Sequence, residues 1–549
     1  MRIERARLIN GQTLEFGDFN VFIGGNGVGK TTVLLEMFSR IAATTRNKYH
    51  WVEELTYGSD DTPRDMGLIK STLKKVLDGA RRFYYSPATK NINGDADTQD
   101  GNLRFTENEF AEMDATPDAT RFTTDVRYRR PFVSFMSCEA RLGVSNSVGL
   151  AGFQSPPPDP VNVLYRDPGL LRNISDRVFQ RFGYRLVLLS HAGIQLELGI
   201  SREMPPVLDA ALPVGEIYEA IETWKNEKFI PITEAGHGMR SMIRLLISLL
   251  EPVNQVILID EPEIHLYPRH KRWLGKELVS LARNQHKQVF VVTHDPMILQ
   301  GILDATTTTR IFRVDRDDSD QGVVTTCDFD AITNAGAIKN QEQYLQGLFY
   351  QRCVIVEGAS DRSFYANIFD DYPDLEDKDV GLVVSGGAGN AKHLAEIVSK
   401  IGLKAAFIFD QDVLFCEPHS IGEIYRILGG TDDVLAPLRT ALNAIPEIAA
   451  APNNGKIIKQ QIGYSDKTGV GTAWKTSNQA VLDTVIPGLE SKGIFLVPNG
   501  SLESWAPLVE EKKRFAEMAP DVIRVDTALQ NPLKDFARKV FRFVEIELT

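Results

Sequence analysis

Cysteine is scarce: Cys138, Cys327, Cys353 and Cys416 are the only four in 549 residues, far apart and without a C-x-x-C pair. That argues against a disulfide framework or a paired-thiolate zinc site and fits a reducing compartment. No run of about 18 apolar residues occurs, so no membrane-spanning helix is expected. The opening Met1-Arg2-Ile3-Glu4-Arg5-Ala6-Arg7 has no apolar signal core. No long heptad pattern follows Lys30 or precedes Ile232, so coiled-coil arms are not expected. Positive charge is in deficit, with a net charge of −12. Whole-chain charge thus gives no argument for nucleic acid, and little against it, because contact surfaces are local. The hydrophobic content of 43% is ordinary for packed cores. The length points to two or more domains in a soluble, cytoplasmic protein.

What is present starts with Gly24-Gly25-Asn26-Gly27-Val28-Gly29-Lys30-Thr31, which fits G-x-x-x-x-G-K-[ST]. Residues 19–23 before it read as a buried strand, and residues 32–38 after it are helix-compatible. Gly24, Gly27 and Gly29 let backbone N–H groups wrap an anion without Cβ clashes. The helix that follows aims its positive dipole end at the same place. Asn26 within the loop and Thr32 after it join the nucleotide contacts. Lys30 is expected to reach the β- and γ-phosphates of ATP, and the Thr31 hydroxyl to ligate Mg²⁺.

Around this loop the pattern gives strands at 2–8 and 12–16, joined by a turn at Asn10-Gly11. Residues 44–130 read as an insertion, with a helix within 66–82 and a polar, mobile loop at 91–120. A strand returns at 129–136. Gln154 is open to two readings, a γ-phosphate sensor or a surface glutamine, and residues 155–160 form a stiff proline-rich connector. A helix at 168–181, strands at 184–190 and 194–198, and a helix at 214–225 follow. Gly236 and Gly238 then open an apolar helix over 241–250, a second candidate anion site.

Val256-Ile257-Leu258-Ile259-Asp260-Glu261 is a buried strand that ends in two acids. Asp260 suits the Mg²⁺ water shell, and Glu261 suits polarisation of the water that attacks the γ-phosphate. Gln288 to Val292 is another buried strand, ending near His294, a candidate γ-phosphate contact. In this order the motifs resemble the ABC-type ATPase heads of the RecF/SMC class, across about residues 1–315. Glu261-Pro262-Glu263-Ile264-His265-Leu266-Tyr267-Pro268 carries the closest resemblance. The chain departs at the signature, with Glu-Ala-Gly-His-Gly where the family has Ser-Gly-Gly. The resemblance implies a homodimer in which ATP on one phosphate loop is capped by Gly236 and Gly238 of the other copy.

After a connecting segment at 316–350, strand–turn–helix units repeat. A strand ends in Glu357 with Asp361 opening its helix, and another ends in Asp410-Gln411-Asp412. A later strand-like run leads to Glu503. Parallel strands put such ends along one edge, where sites of open α/β sheets lie. Glu357, Asp361, Asp410, Asp412 and Glu503 can therefore converge on hard cations, Mg²⁺ or Mn²⁺. Glu-Gly-x-x-Asp followed by Asp-x-Asp resembles the TOPRIM fold. An ATPase head followed by TOPRIM resembles the OLD family of nucleases, with Gabija-type and PARIS-type phage-defence proteins close by.

The expected architecture is therefore α/β. An ABC-type ATPase head with a mixed sheet spans 1–315, and a TOPRIM-like parallel α/β domain spans 351–549 with an insertion at about 415–490. The resemblance implies an ATPase and metal-dependent DNA endonuclease, with Glu261, His294, Glu357, Asp410 and Asp412 in catalysis. It also implies DNA as substrate, a homodimer through the heads or a higher oligomer, and room for a separate effector protein. Lys492, Lys512 and Lys513 are candidate charge-neutralising cations. Lys534, Arg538 and Arg542 recur every four residues on a helix at 532–543, a stripe for a phosphate backbone or a solvated face, with Leu533, Phe536, Val540 and Phe541 expected to pack inward. Rival readings are a repair ATPase that does not cut, a topoisomerase-like enzyme, and an ATP-gated scaffold.

Overall fold

The computed structural model describes residues 1–42, 48–58, 67–68, 73–77, 83–87, 105–106, 108–111, 121, 125–145, 147–151, 157, 159–190, 195–206, 213–306, 308–316, 321–327, 345–376, 378–452, 454–509 and 514–548. Two compact units divide the chain: Met1–Ile23 with Gly29–Val323, and Val324–Thr549 with the short loop segment Gly24–Val28.

In the first unit the strands are β1 (Arg2–Leu8), β2 (Thr13–Glu15), β3 (Phe19–Ile23), β4 (Val52–Gly58), β5 (Leu73–Leu77), β6 (Phe83–Pro87), β7 (Phe105–Thr106) and β8 (Val133–Met136). They continue with β9 (Ser147–Gly149), β10 (Arg185–Leu189), β11 (Gln195–Ser201), β12 (Ile230–Pro231), β13 (Val256–Asp260), β14 (Gln288–Val292), β15 (Arg310–Arg316) and β16 (Gly322–Cys327), within which the division falls. The main sheet has the order β16-β15-β3-β14-β13-β8. The pairs β15/β3, β3/β14, β14/β13 and β13/β8 are all parallel. Both β3 and β14 are buried along their whole length. That is why they read as continuous apolar runs and not as alternating ones. Phe16 sits edge-on to Phe290 at 4.9 Å, and Phe22 stacks on Phe312 at 5.1 Å, tying neighbouring strands through their rings.

Helices of this unit include α1 (Lys30–Ala42), α2 (Cys138–Leu142), α3 (Pro168–Phe182), α4 (Val214–Lys228), α5 (His237–Leu250) and α6 (Pro268–Asn284). Another, α7 (Pro296–Ala305), crosses α6 where both are glycine. A Cβ on Gly275 would overlap the carbonyl oxygen of Ile298, and one on Gly301 that of Arg272.

Within 66–82, where a helix is expected, residues 67–68 are helical but 73–77 form a strand, and the other residues lie outside the described ones: β5 pairs antiparallel with β6, and β6 with β7. Phe83-Tyr84-Tyr85 is a strong strand former, and cross-strand pairing outweighs the modest helix preference of the Lys-rich segment. Most of the polar loop at 91–120 and Gln154 lie outside the described residues.

In the second unit β17 (Arg352–Val356), β18 (Val380–Val384), β19 (Lys404–Phe409) and β20 (Ile494–Leu496) form a fully parallel sheet in the order β18-β17-β19-β20. Helices α8 (Ala359–Phe369) and α9 (Ala388–Ile401) are its crossovers. A set of short helices lies between β19 and β20, including α10 (Gly455–Gln461). The last helix, α11 (Thr527–Phe543), buries Leu533, Phe536, Val540 and Phe541, the face expected from spacing. It begins before Pro532 because Asp526 caps it, accepting from the Ala528 N–H at 2.9 Å. On its outer side Arg538 pairs with Asp535, Arg542 with Glu547 and Lys539 with Glu490. Two of the three stripe residues, Arg538 and Arg542, are thus locally compensated.

The α6/α7 crossing carries the segment after His294, so its tightness is testable. Gly301→Ala is expected to cost about 1–3 kcal/mol through overpacking, seen as a lower urea midpoint for the first unit. An unchanged midpoint would mean that the two helices separate without cost.

Candidate nucleotide and metal sites

The loop after β3 needs its glycines. Gly24, Gly27 and Gly29 have φ of 144°, 75° and 107°, a region that side chains disfavour. Gly29 is also covered: a Cβ there would lie 2.8 Å from the Trp51 indole. Trp51 is held from below by Glu36 of α1, which is fully buried. The Glu36 carboxylate accepts from the N–H groups of His50, Trp51 and Val52 at 2.8–2.9 Å. Helix α1 starts at Lys30, which is buried, while Asn26 and Gly27 face outward and Thr32 is half-buried.

Thr31 Oγ1 donates to Asp260 Oδ1 at 2.9 Å. The helix after the loop therefore meets the end of β13, as the sequence motifs require. Burial pushes the Asp260 carboxyl up, against the Thr31 hydrogen bond that pulls it down. Glu261 leaves the strand with φ 47°, and its Oε1 lies 3.0 Å from His294 Nδ1. That hydrogen bond holds the Glu261 carboxyl below its usual range and raises His294. Glu263, which is buried, orients the histidine from the other side. Its Oε1 accepts from Thr293 Oγ1 at 2.7 Å and from the His294 N–H at 3.0 Å. Thr31, Asp260, Glu261 and His294 are thus brought together. Gly236 caps α5, and a Cβ on Gly238 would strike the His265 carbonyl and come within 3.2 Å of Leu266. The sequence reading missed Arg141, which is fully buried and donates to the carbonyls of both Asp260 and Glu261. A lone arginine on the short helix α2 carries no motif that could have signalled it.

In the second unit Glu357 follows β17, Asp361 lies in the first turn of α8 and Asp410 follows β19. Burial pushes Asp410 up to about 9, with further increments from Asp361, Glu357, Asp412 and Glu503. Burial and then Asp361, Asp412 and Glu417 push Glu357 up to about 7. Asp361 is raised too, mainly by burial. The five expected acids therefore share one electrostatic neighbourhood, joined by Glu417. Each is held by a protein partner or buried: Asp361 Oδ2 accepts from the Gly358 N–H at 2.9 Å, Asp410 Oδ1 from the Leu502 N–H at 3.1 Å, and Glu503 Oε2 from the Ser501 hydroxyl at 2.6 Å. Glu357 Oε2 is buried without a hydrogen-bond partner. Among the described residues no group of three or more His, Cys, Asp or Glu is arranged as a ready metal-ligand set. Apart from Glu357 Oε2, these acids turn an oxygen to a protein partner and not to one shared centre. An all-oxygen donor set, an orphaned carboxylate oxygen and acids forced toward protonation fit a hard divalent cation, which would relieve the repulsion.

The cation supplied by the fold is also one that sequence reasoning missed. Lys459 of α10 places Nζ 2.6 Å from Asp412 Oδ2. Beside it Gln411 ties the helical segment to the edge, accepting from the Val470 N–H at 3.2 Å and donating to the Pro498 carbonyl at 3.1 Å. Lys492 lies beside Gly429 instead, and Lys512 and Lys513 fall outside the described residues. Nothing in the segment 415–490 marks Lys459 before folding, because its role depends on where α10 packs.

The raised acids set the sign of a pH effect. Asp410 ionises near 3.8 unfolded and near 9 folded. Between those values the native state binds more protons, so metal-free stability falls as pH rises. Thermal unfolding of metal-free protein from pH 5 to 9 should show this decline, and Asp410→Asn should flatten it. A decline of equal slope in the variant would put the strain elsewhere.

Comparison with known proteins agrees with this division. Residues 146–300 match the family "AAA domain, putative AbiEii toxin, Type IV TA system". Residues 348–412 match "Overcoming lysogenization defect protein-like, TOPRIM domain". The chain is 25% identical over 209 residues to the OLD nuclease of Thermus scotoductus, a match covering 34% of this chain and 38% of that protein. It is 23% identical over 239 residues to the Old nuclease of Escherichia phage P2, covering 38% of each. The matches thus span well under half of either relative's length. The SMC head domain from Thermotoga maritima aligns with 60% of this chain and 100% of its own, at 10% identity and a TM-score of 0.30, too distant to carry an argument. One chain thus carries a match to an AAA-type ATPase domain followed by a match to an OLD-like TOPRIM domain, and over part of its length it is similar to two OLD nucleases.

Proposed function

We propose that the chain is a nucleotide-controlled, metal-dependent DNA endonuclease that acts in the cytoplasm against phage or other foreign DNA. The observation that carries this reading is the crowding of Glu357, Asp361, Asp410, Asp412 and Glu503 on one edge, with a buried Glu357 oxygen left unpaired. Natural selection has little reason to keep such repulsion unless a cation uses it. The names of the two relatives support a nuclease. In this reading Glu357, Asp361, Asp410, Asp412 and Glu503 hold one or two Mg²⁺ or Mn²⁺ ions. Bound metal would activate water and stabilise the leaving oxygen of a phosphodiester. Lys459 then offers a charge to the phosphate once released from Asp412.

At the nucleotide site Gly24, Asn26, Gly27, Gly29, Lys30 and Thr32 cradle the ATP phosphates, while Thr31 and Asp260 hold the Mg²⁺ shell. Glu261 polarises the attacking water, and its hydrogen bond to His294 keeps it ionised and aimed. Gly236 and Gly238 cap the nucleotide of a second copy, which makes the working form a homodimer or a larger assembly. The domain limits that go with this reading are 1–315, 316–350 and 351–549. No described helix is long and apolar enough to cross a membrane. A second reading is an ATP-gated sensor that works with a separate effector and does not cut. The Lys459–Asp412 pair favours it, because a lysine already neutralises one prospective ligand.

Purified protein with plasmid and linear DNA, in Mg²⁺ or Mn²⁺ with and without ATP, tests the choice. Cutting that vanishes with Asp410→Ala establishes the nuclease. Intact ATP hydrolysis with no cutting in any condition establishes the sensor. Glu261→Gln should slow ATP hydrolysis by roughly 100-fold or more, and its effect on cutting gives the sign of nucleotide control.

A further inference from the structure

Arg141 is a fully buried arginine with no carboxylate among its hydrogen-bond acceptors. Its guanidinium instead joins three separate segments. Nη1 donates to the carbonyls of Met136 and Asp260, Nη2 to the Glu261 carbonyl at 2.8 Å, and Nε to Ser241 Oγ at 2.8 Å. Met136 ends β8, Asp260 ends β13 with Glu261 just after it, and Ser241 sits one turn into α5. A planar fork with five fixed donors can hold such a three-way junction, and a lysine cannot reproduce it. Burying a charge this way is costly, so packing alone is a poor reason for it.

The peptide that Arg141 grips is unusual. Glu261 adopts φ 47° and His265 φ 69°, conformations that need support from their surroundings. The start of α5 presses on the same stretch, since Gly238 leaves no space for a Cβ against the His265 carbonyl. Helix α5 therefore touches the Asp260–His265 segment twice, directly at Gly238 and through Ser241 and Arg141. A shift of α5 along its axis cannot leave the Glu261 backbone unmoved.

We propose that Arg141 is a positioning residue that couples the glycine-capped start of α5 to the Asp260–Glu261 peptide. A triphosphate docking on α5 from a second copy of the chain thereby sets the aim of Glu261 in the copy that owns the helix. This rests on the ATPase reading above and extends it: each copy's hydrolysis reports on the nucleotide of its neighbour.

Steady-state ATP hydrolysis by the full chain, with ATP-driven dimerisation measured by sedimentation in a Glu261→Gln background, tests the coupling. Arg141→Gln and Arg141→Lys should each lower kcat by about 10-fold or more, with KM for ATP changed by less than about threefold, because transition-state aim is lost and ground-state binding is not. Ser241→Ala should lower kcat by a smaller factor, and adding it to Arg141→Gln should lower kcat no further, the non-additivity of groups that act as one unit. Dimerisation on ATP should persist in Glu261→Gln carrying Arg141→Gln. Arg141 variants with unchanged kcat, or with kcat, KM and dimerisation lost together, would overturn the relay in favour of a purely structural arginine. If Arg141→Gln fails to fold by circular dichroism, Ser241→Ala and Arg141→Lys decide alone by the same criteria. A wild-type chain that binds ATP but does not hydrolyse it overturns the ATPase reading and the relay with it.

Discussion

Strands buried on both faces have only their ends to offer to chemistry. In β3, β13 and β14, and again in β17 and β19, every interior position packs against neighbours, so the first polar residue after the last apolar one stands at the sheet edge. Parallel pairing then lines these ends up on one side. Thr31, Asp260, Glu261 and His294 meet for this reason in the first unit, and Glu357 and Asp410 in the second. The loops carry the functional groups, but the register of the parallel ladders decides which groups meet.

The two edges manage charge in opposite ways. At the nucleotide end each acid has a complementary neighbour: Thr31 serves Asp260, His294 serves Glu261, and Thr293 serves one oxygen of Glu263, whose Oε2 is buried without a hydrogen-bond partner. That site is preorganised around polar groups in fixed positions. At the TOPRIM end carboxylates accumulate faster than the fold neutralises them, and Lys459 is the cation seen to engage one of them directly. The first arrangement suits aiming a water at a bound triphosphate. The second stores repulsion that a divalent cation can discharge, so stability and cation affinity are set by the same side chains.

Glycine has a different part at each contact that matters. In the phosphate loop it supplies backbone conformations closed to other residues. At Gly275 and Gly301 it lets two helices touch backbone to backbone behind His294. At Gly238 it lets the start of α5 rest on the His265 carbonyl, so the helix packs directly on the segment after the acids. Trp51, pinned by the buried Glu36 carboxylate, closes over Gly29 from the side.

The strand–loop–helix around Lys30, the apolar runs ending in Asp260 and Asp410, and the inward face of α11 were legible in the sequence because each rests on local periodicity and short motifs. The α/β class and the pairing of an ATPase head with a TOPRIM domain followed from the order of those motifs. The strand pairing of 73–77, which sequence read as helix, was decided by its partner 83–87, since pairing energy belongs to two segments and local preference to one. Arg141 and Lys459 belong to the same category. A side chain that neutralises or grips groups more than 40 residues away in sequence leaves no periodic trace. Its role exists only once the backbone has closed the distance, and only the tertiary structure could decide it.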